Sequence, residues 1–144
     1  MSDRSLVDRD ALVAGAATGL VLIALLSAVR ALVDNQVDDF DDRAWIALFA
    51  VAQLLIYIVA GAVAGARMPR APLSNGGLAS LLAVVVWIPL RIAVWLVRDE
   101  TRGLFSGKDP VFEAGPVFIA LVLAFALGVV GGALGARAAH ARTA

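Results

Sequence analysis

Gly61-Ala62-Val63-Ala64-Gly65-Ala66-Arg67 ends a long apolar run in two spaced glycines and an arginine, and Gly131-Gly132-Ala133-Leu134-Gly135-Ala136-Arg137 ends another in the same way. Gly61, Gly65, Ala66 and Arg67 coincide with Gly131, Gly135, Ala136 and Arg137 at a constant offset of 70. An apolar run of this kind crosses about 30 Å of hydrocarbon as an α-helix rising about 1.5 Å per residue. The two endings therefore predict two helical hairpins in tandem, each returning to the same side of a membrane.

Upstream of each ending lies a second apolar run. The sequence predicts four spans, at residues 11–33, 44–66, 76–97 and 116–137, in one all-α domain: a polytopic four-helix membrane bundle with little protein outside the bilayer. Composition agrees, since 61% of the 144 residues are hydrophobic, 17% are charged and the mean hydropathy is +0.88, far from the balance of a soluble domain. A leader is the competing reading of the first run, but that run exceeds the apolar core of a signal peptide, about 7–15 residues. Its polar head also mixes Arg4 and Arg9 with Asp3, Asp8 and Asp10, so it reads as a span. The twelve basic and twelve acidic residues cancel and fall almost entirely between the spans, which leaves no basic face for nucleic acid. Cysteine is absent, which excludes disulfides, thiolate metal sites and cysteine nucleophiles.

The connections carry the remaining polarity. Asp34, Asp38, Asp39, Asp41 and Asp42 crowd the first one, and Asp41 and Asp42 are placed to cap the second helix and to face the positive end of its dipole. The run lacks the spacing and the glycine of an EF-hand loop, so no metal is assigned to it. Arg67 to Asn75 is a short basic turn in which Ser74 or Asn75 is the expected cap of a third helix beginning at Gly76 and interrupted by Pro89. The longest connection, Arg98 to Gly115, offers Leu104, Phe105, Val111 and Phe112 to the membrane interface, and Pro116 is expected at the first position of the fourth helix. Arg4, Arg9, Arg67, Arg70, Arg137 and Arg142 on one side outnumber Arg43, Arg98, Arg102 and Lys108 on the other, which favours cytoplasmic termini. Every basic residue but Lys108 is arginine and alanine is abundant, a usage expected of a GC-rich bacterial genome and hence of a bacterial plasma membrane.

Each span carries a pair at small-xxx-small spacing: Gly15 and Gly19, Gly61 and Gly65, Gly76 and Ser80, Gly131 and Gly135. That spacing lets helix backbones approach where lipid offers no hydrophobic driving force. All four steps fall in the cytoplasmic half, so close packing is expected there, with Trp45, Phe49, Trp87 and Trp95 widening the outer half. The first and third spans superpose at an offset of 61, with Gly15 on Gly76, Gly19 on Ser80 and Arg30 on Arg91. A duplication would be a parallel repeat, its axis along the membrane normal.

Arg91 lies inside the third span beside Pro89, where insertion scales charge a guanidinium about 2.5–3.5 kcal/mol at the bilayer centre and less near the surface. Arg30, Gln53 and Tyr57 fall at neighbouring depths. Together the four are a candidate site for an anionic group such as a lipid phosphate or carboxylate, which a guanidinium grips bidentately. In the plainer reading Arg30 and Arg91 snorkel to headgroups and Gln53 bonds a neighbouring helix. Arg67 and Arg137 at helix C-termini suit the dipole and anionic lipid. His140 has neither a second ligand nor a carboxylate beside it in the sequence. No nucleophile, base and acid occur together, so no catalytic residue, metal or cofactor is assigned.

In layout the chain resembles small four-helix bacterial inner-membrane proteins whose second helix ends in a glycine-rich, arginine-terminated turn leading into a glycine-started third helix. Gly61, Gly65, Arg67, Gly76 and Gly77 carry that resemblance, over residues 61–77 in motif and most of the chain in layout. It implies a topology and no activity. The expected function is a non-enzymatic membrane component surrounded by the lipid bilayer, acting as a homo-oligomer or as an accessory subunit of a larger membrane protein through its glycine faces. The alternative is a small-molecule or ion transporter or channel with an outward vestibule around Arg91.

Overall fold

A computed structural model describes residues 7–34, 36, 43–98, 103–106 and 111–142. Four α-helices follow one another, α1 Arg9–Asp34, α2 Arg43–Arg67, α3 Pro72–Arg98 and α4 Ala114–Ala141. Each is long and apolar enough to cross a membrane, and no strand occurs among the described residues. The chain is an all-α four-helix membrane bundle. Asp38, Asp39, Asp41 and Asp42, with the capping expected of the last two, lie outside the described residues.

The helix starts differ from expectation at two prolines. α3 begins at Pro72 rather than Gly76, because proline at a first helical position forfeits only an N–H that would have no intrahelical partner. Ser74 and Asn75 are thereby inside the helix and cap nothing from its end. α4 begins at Ala114, which makes Pro116 its third residue instead of its first; the first four N–H groups of a helix are free in any case. α1 starts from a cap that the sequence reading passed over. The Asp8 carboxylate accepts the N–H of Ala11 at 2.8 Å, the usual reach of an N-cap side chain to the third helical residue.

Around the bundle the helices run in the order α1, α2, α4, α3. α1 touches α2 and α3, α4 touches α2 and α3, and α2 also meets α3 across the middle, whereas α1 and α4 do not touch among the described residues. Like directions are therefore neighbours, α1 beside α3 and α2 beside α4.

The α2–α4 contact is backbone on backbone. A side chain at Gly61 would run into the carbonyl of Gly128, and one at Gly65 into that of Gly132. In return, Gly131 presses on the carbonyl of Ile58 and Gly135 on that of Ala62. The two sets exchange under the offset of 70 seen in the sequence, since 58 and 62 map to 128 and 132. The contact is thus locally twofold about an axis along the helices. The relation stops there: a twofold for the whole bundle would set α1 against α4 as α3 is set against α2, and α1 and α4 do not meet among the described residues. α3 enters the same seam through Gly76, which faces Gly128 and Gly132. α1 packs one step less tightly. A methyl on Gly15 would lie 2.6 Å from the carbonyl oxygen of Ala60 and 2.8 Å from the Cβ atoms of Ala64 and Ala79, and one on Gly19 would lie 2.9 Å from those of Ala60 and Ala83.

Close packing is concentrated in the half that holds the termini and the 68–71 turn, here called the terminal half, and Phe49 of α2 is the buried exception among the described residues of the other half. On α1 no residue after Ile23 is buried, on α3 none after Val84, and on α4 none before Ala124. Ile23, Tyr57, Ala83, Val84 and Ala124 close this core, with Trp87 and Leu127 packed against it. Beyond it, toward the 35–42 and 99–113 connections, Leu25, Leu32, Leu48, Leu96 and Phe118 are exposed to the bilayer. Glycine and alanine supply most of the buried helix contacts of the terminal half.

Among the described residues two polar side chains, Asn75 and Ser80, are fully buried, and both are satisfied. Ser80 donates its hydroxyl to the Tyr57 carbonyl of α2 at 2.7 Å. Asn75 accepts the N–H of Asp8 at 2.9 Å and donates to the Ala71 carbonyl at 2.8 Å, which ties the start of α1 to the start of α3. Ser80→Ala is expected to cost only about 0.5–1 kcal/mol, because interhelical hydrogen bonds in membranes are individually weak and the Tyr57 carbonyl keeps its helical partner. Thermal unfolding in detergent measures it. A loss well above about 2 kcal/mol would mean that the hydroxyl holds more than this one bond.

Candidate functional site

The loop-end halves of α1 and α2 diverge enough to leave a cleft between them. Leu26, Ser27 and Arg30 of α1 and Ile46, Phe49, Ala50 and Gln53 of α2 line it, around a volume of about 250 Å³. Arg30, Ile46 and Ala50 are exposed at its rim, Leu26, Ser27 and Gln53 are half-buried in its walls, and Phe49 is buried as its floor. No residue of α3 or α4 reaches it. Its opening is therefore to the side, toward the surroundings of the bundle.

Depth along the helices sorts the polar groups. Arg30 precedes the end of α1 by one turn, at about 6 Å of rise, whereas Gln53 lies about 15 Å into α2. Tyr57, one turn further and buried at 4% exposure, hydrogen-bonds the Gln53 side chain. A cation near the surface thus stands above an amide that is held from below, with an apolar wall between them.

Of the four residues singled out for an anionic ligand, the structure brings Arg30 and Gln53 into one cleft and joins Tyr57 to it through Gln53. Arg91 does not line it. Ser80, Val84, Trp87 and Arg91 recur at helical spacing along α3, the first two buried and the last two half-buried, and none of them lines the cleft. The helix-packing residues Gly15, Gly19, Gly61, Gly65, Gly76, Ser80, Gly131 and Gly135 all face other helices of the same chain. Gly128 and Gly132, which the sequence reading passed over, are the surfaces on which Gly61, Gly65 and Gly76 rest. Their own four-residue spacing, overlapping that of Gly131 and Gly135, was the signal available. The cap at Asp8 was likewise missed, hidden in a mixed-charge head, and Phe49, read only as bulk that widens the outer half, lines the cleft.

Nδ1 of His140 lies 2.7 Å from the Ala136 carbonyl oxygen, one turn back on its own helix, and donates to it in the tautomer that carries the proton there. In the 99–113 connection the carbonyls of Gly103 and Leu104 accept the N–H groups of Val111 and Phe112 at 2.9 and 3.0 Å, and the rings of Phe105 and Phe112 lie 6.0 Å apart. Compared with protein-family models, curated proteins and solved structures, the chain matches none.

Proposed function

We propose that this integral membrane protein is a non-enzymatic component of the bacterial plasma membrane, its termini cytoplasmic, that works by association with further copies of itself or with a larger membrane protein. The observation that carries the reading is the sealed terminal half. There the space between α2, α3 and α4 is taken by glycine against backbone, and no buried side-chain nitrogen or oxygen among the described residues lacks a hydrogen bond. A packed seam of this kind offers a solute neither room nor polar groups, whereas a transport path through one chain requires both. Because the glycine faces are spent within the chain, association has to use its lipid-facing sides. That moves the glycine packing expected between chains to the inside of one chain.

Purification in a mild detergent, with mass spectrometry of whatever remains bound, tests the proposal. The expected result is a homo-oligomer or a membrane protein retained at fixed ratio. A lone monomer that carries solute across liposomes after reconstitution would overturn it in favour of transport.

A further inference from the structure

The α1–α2 cleft carries a ligand chemistry of its own, independent of any association. Its volume of about 250 Å³ falls below the range of about 300–1,000 Å³ usual for sites that enclose a whole small molecule. It suits part of a molecule. Its mouth opens sideways, between helices that lipid surrounds, and its rim places Arg30 within one turn of the end of α1. Leu26, Ile46, Phe49 and Ala50 make the apolar part of the wall, with the Ser27 hydroxyl beside them and Gln53 at the deep end. From the surface inward the cleft is cationic, then apolar, with an amide donor set into the apolar part.

That sequence of environments is the complement of an anionic amphiphile lying in the adjoining leaflet. A guanidinium holds phosphate or carboxylate oxygens through two parallel N–H bonds, more strongly than neutral donors do. An amide fixed by Tyr57 is placed to meet a carbonyl oxygen below the headgroup. A free inorganic anion would use Arg30 and leave the four apolar side chains uncovered. A zwitterionic lipid would bring its own cation to the guanidinium. We propose that the cleft is a binding site for the anionic headgroup and upper chain of a membrane lipid, with Arg30 as the headgroup ligand and Phe49 as the floor under the chain.

Native mass spectrometry of the full chain in detergent, titrated with phosphatidylglycerol, phosphatidylcholine or inorganic phosphate, tests the site. Phosphatidylglycerol is expected to be retained roughly tenfold better than phosphatidylcholine, the gain of about one charge-assisted hydrogen-bonded pair, and inorganic phosphate is not retained. Arg30→Gln should bring phosphatidylglycerol down to the level of phosphatidylcholine. Ala50→Trp fills the cleft from its rim with the charge left in place, and should lower retention of both lipids. Arg98→Gln removes a cation from the end of α3 at the same side of the bundle and should change nothing. Each variant is compared at wild-type elution and melting; if Arg30→Gln does not fold, Arg30→Lys keeps the charge and loses the paired donors, and should fall between the two.

Equal retention of the two lipids, or unchanged retention in Arg30→Gln, overturns the proposal. An equal loss in Arg98→Gln overturns it by assigning the effect to surface charge at large. Full retention in Ala50→Trp places the lipid on a snorkelled arginine outside the cleft, and inorganic phosphate binding as well as the lipid removes the membrane as its source.

Discussion

Gly132→Leu is expected to abolish the heat-stable, monodisperse bundle, the largest loss that any single substitution in this chain should cause. A Cβ at this position would enter the carbonyl of Pro72 and lie 3.3 Å from the Gly76 Cα, while Gly132 is itself the surface under Gly65. Two helices press on it at once. Overpacking a core costs typically about 1–3 kcal/mol because neighbouring side chains turn aside; here the neighbours are backbone atoms, which cannot. α3 would have to move off α4, which pulls on its Ser80 bond to α2. Gly115→Leu is the matched control on the same helix, since nothing lies within 4 Å of a Cβ there. Elution and melting in detergent compare the two, and a Gly132→Leu protein with wild-type behaviour would disprove the backbone seam.

Asn75→Leu ranks second, through polarity in place of volume. Leucine resembles asparagine in length, so the fully buried position stays filled, but the N–H of Asp8 loses its acceptor and the Ala71 carbonyl loses one of its two donors. An unsatisfied buried donor costs about 1–3 kcal/mol, and with it goes the tie that sets α1 beside α3. The loss should be concentrated at one place. Amide hydrogen exchange across Asp8 to Leu12 is expected to accelerate far more than exchange in α2 or α4, and equal protection in wild type and variant would show that Asn75 holds nothing.

Four spans were legible in the sequence because hydrocarbon thickness is a crude ruler and apolar runs either meet it or do not. Helix starts were less so. Pro116 was read as a first helical residue and Pro72 as part of a turn, yet whether a proline is first or third in a helix depends on where the preceding chain is released; at Pro72 the Met68 to Ala71 turn decides it, through bonds from Met68 to Ala64 and from Ala71 to Met68. The glycine steps were visible as spacing, but spacing does not say what a glycine faces. Gly61 and Gly131 look alike in sequence and prove to be the two ends of one reciprocal contact, each resting on a residue, Gly128 or Ile58, outside the four steps that the spacing singled out. The cleft was half legible for a related reason. Depth along a helix can be counted, which set Arg30, Gln53, Tyr57 and Arg91 near one another, whereas the direction in which each helix turns its face is fixed only by its neighbours, and this separates Arg91 from the rest.

The order of the helices around the bundle also governs how the chain is completed during synthesis. α2 emerges second, yet Gly61 and Gly65 meet their partners only on α4, which is made last. When the first hairpin is in the bilayer, one side of α2 is covered by α1 and its glycine face stands bare against lipid. α3 arrives next and covers α1 and part of α2, still without the residues that Gly76 rests on. Every nascent chain therefore passes through a stage with an open glycine surface, and a chain cut short before Gly128 stays in it. The last helix is the one that turns three associated spans into a closed fold, so loss of α4 should leave a membrane-inserted fragment recognised by quality-control proteolysis, whereas its arrival ends the vulnerable interval at once.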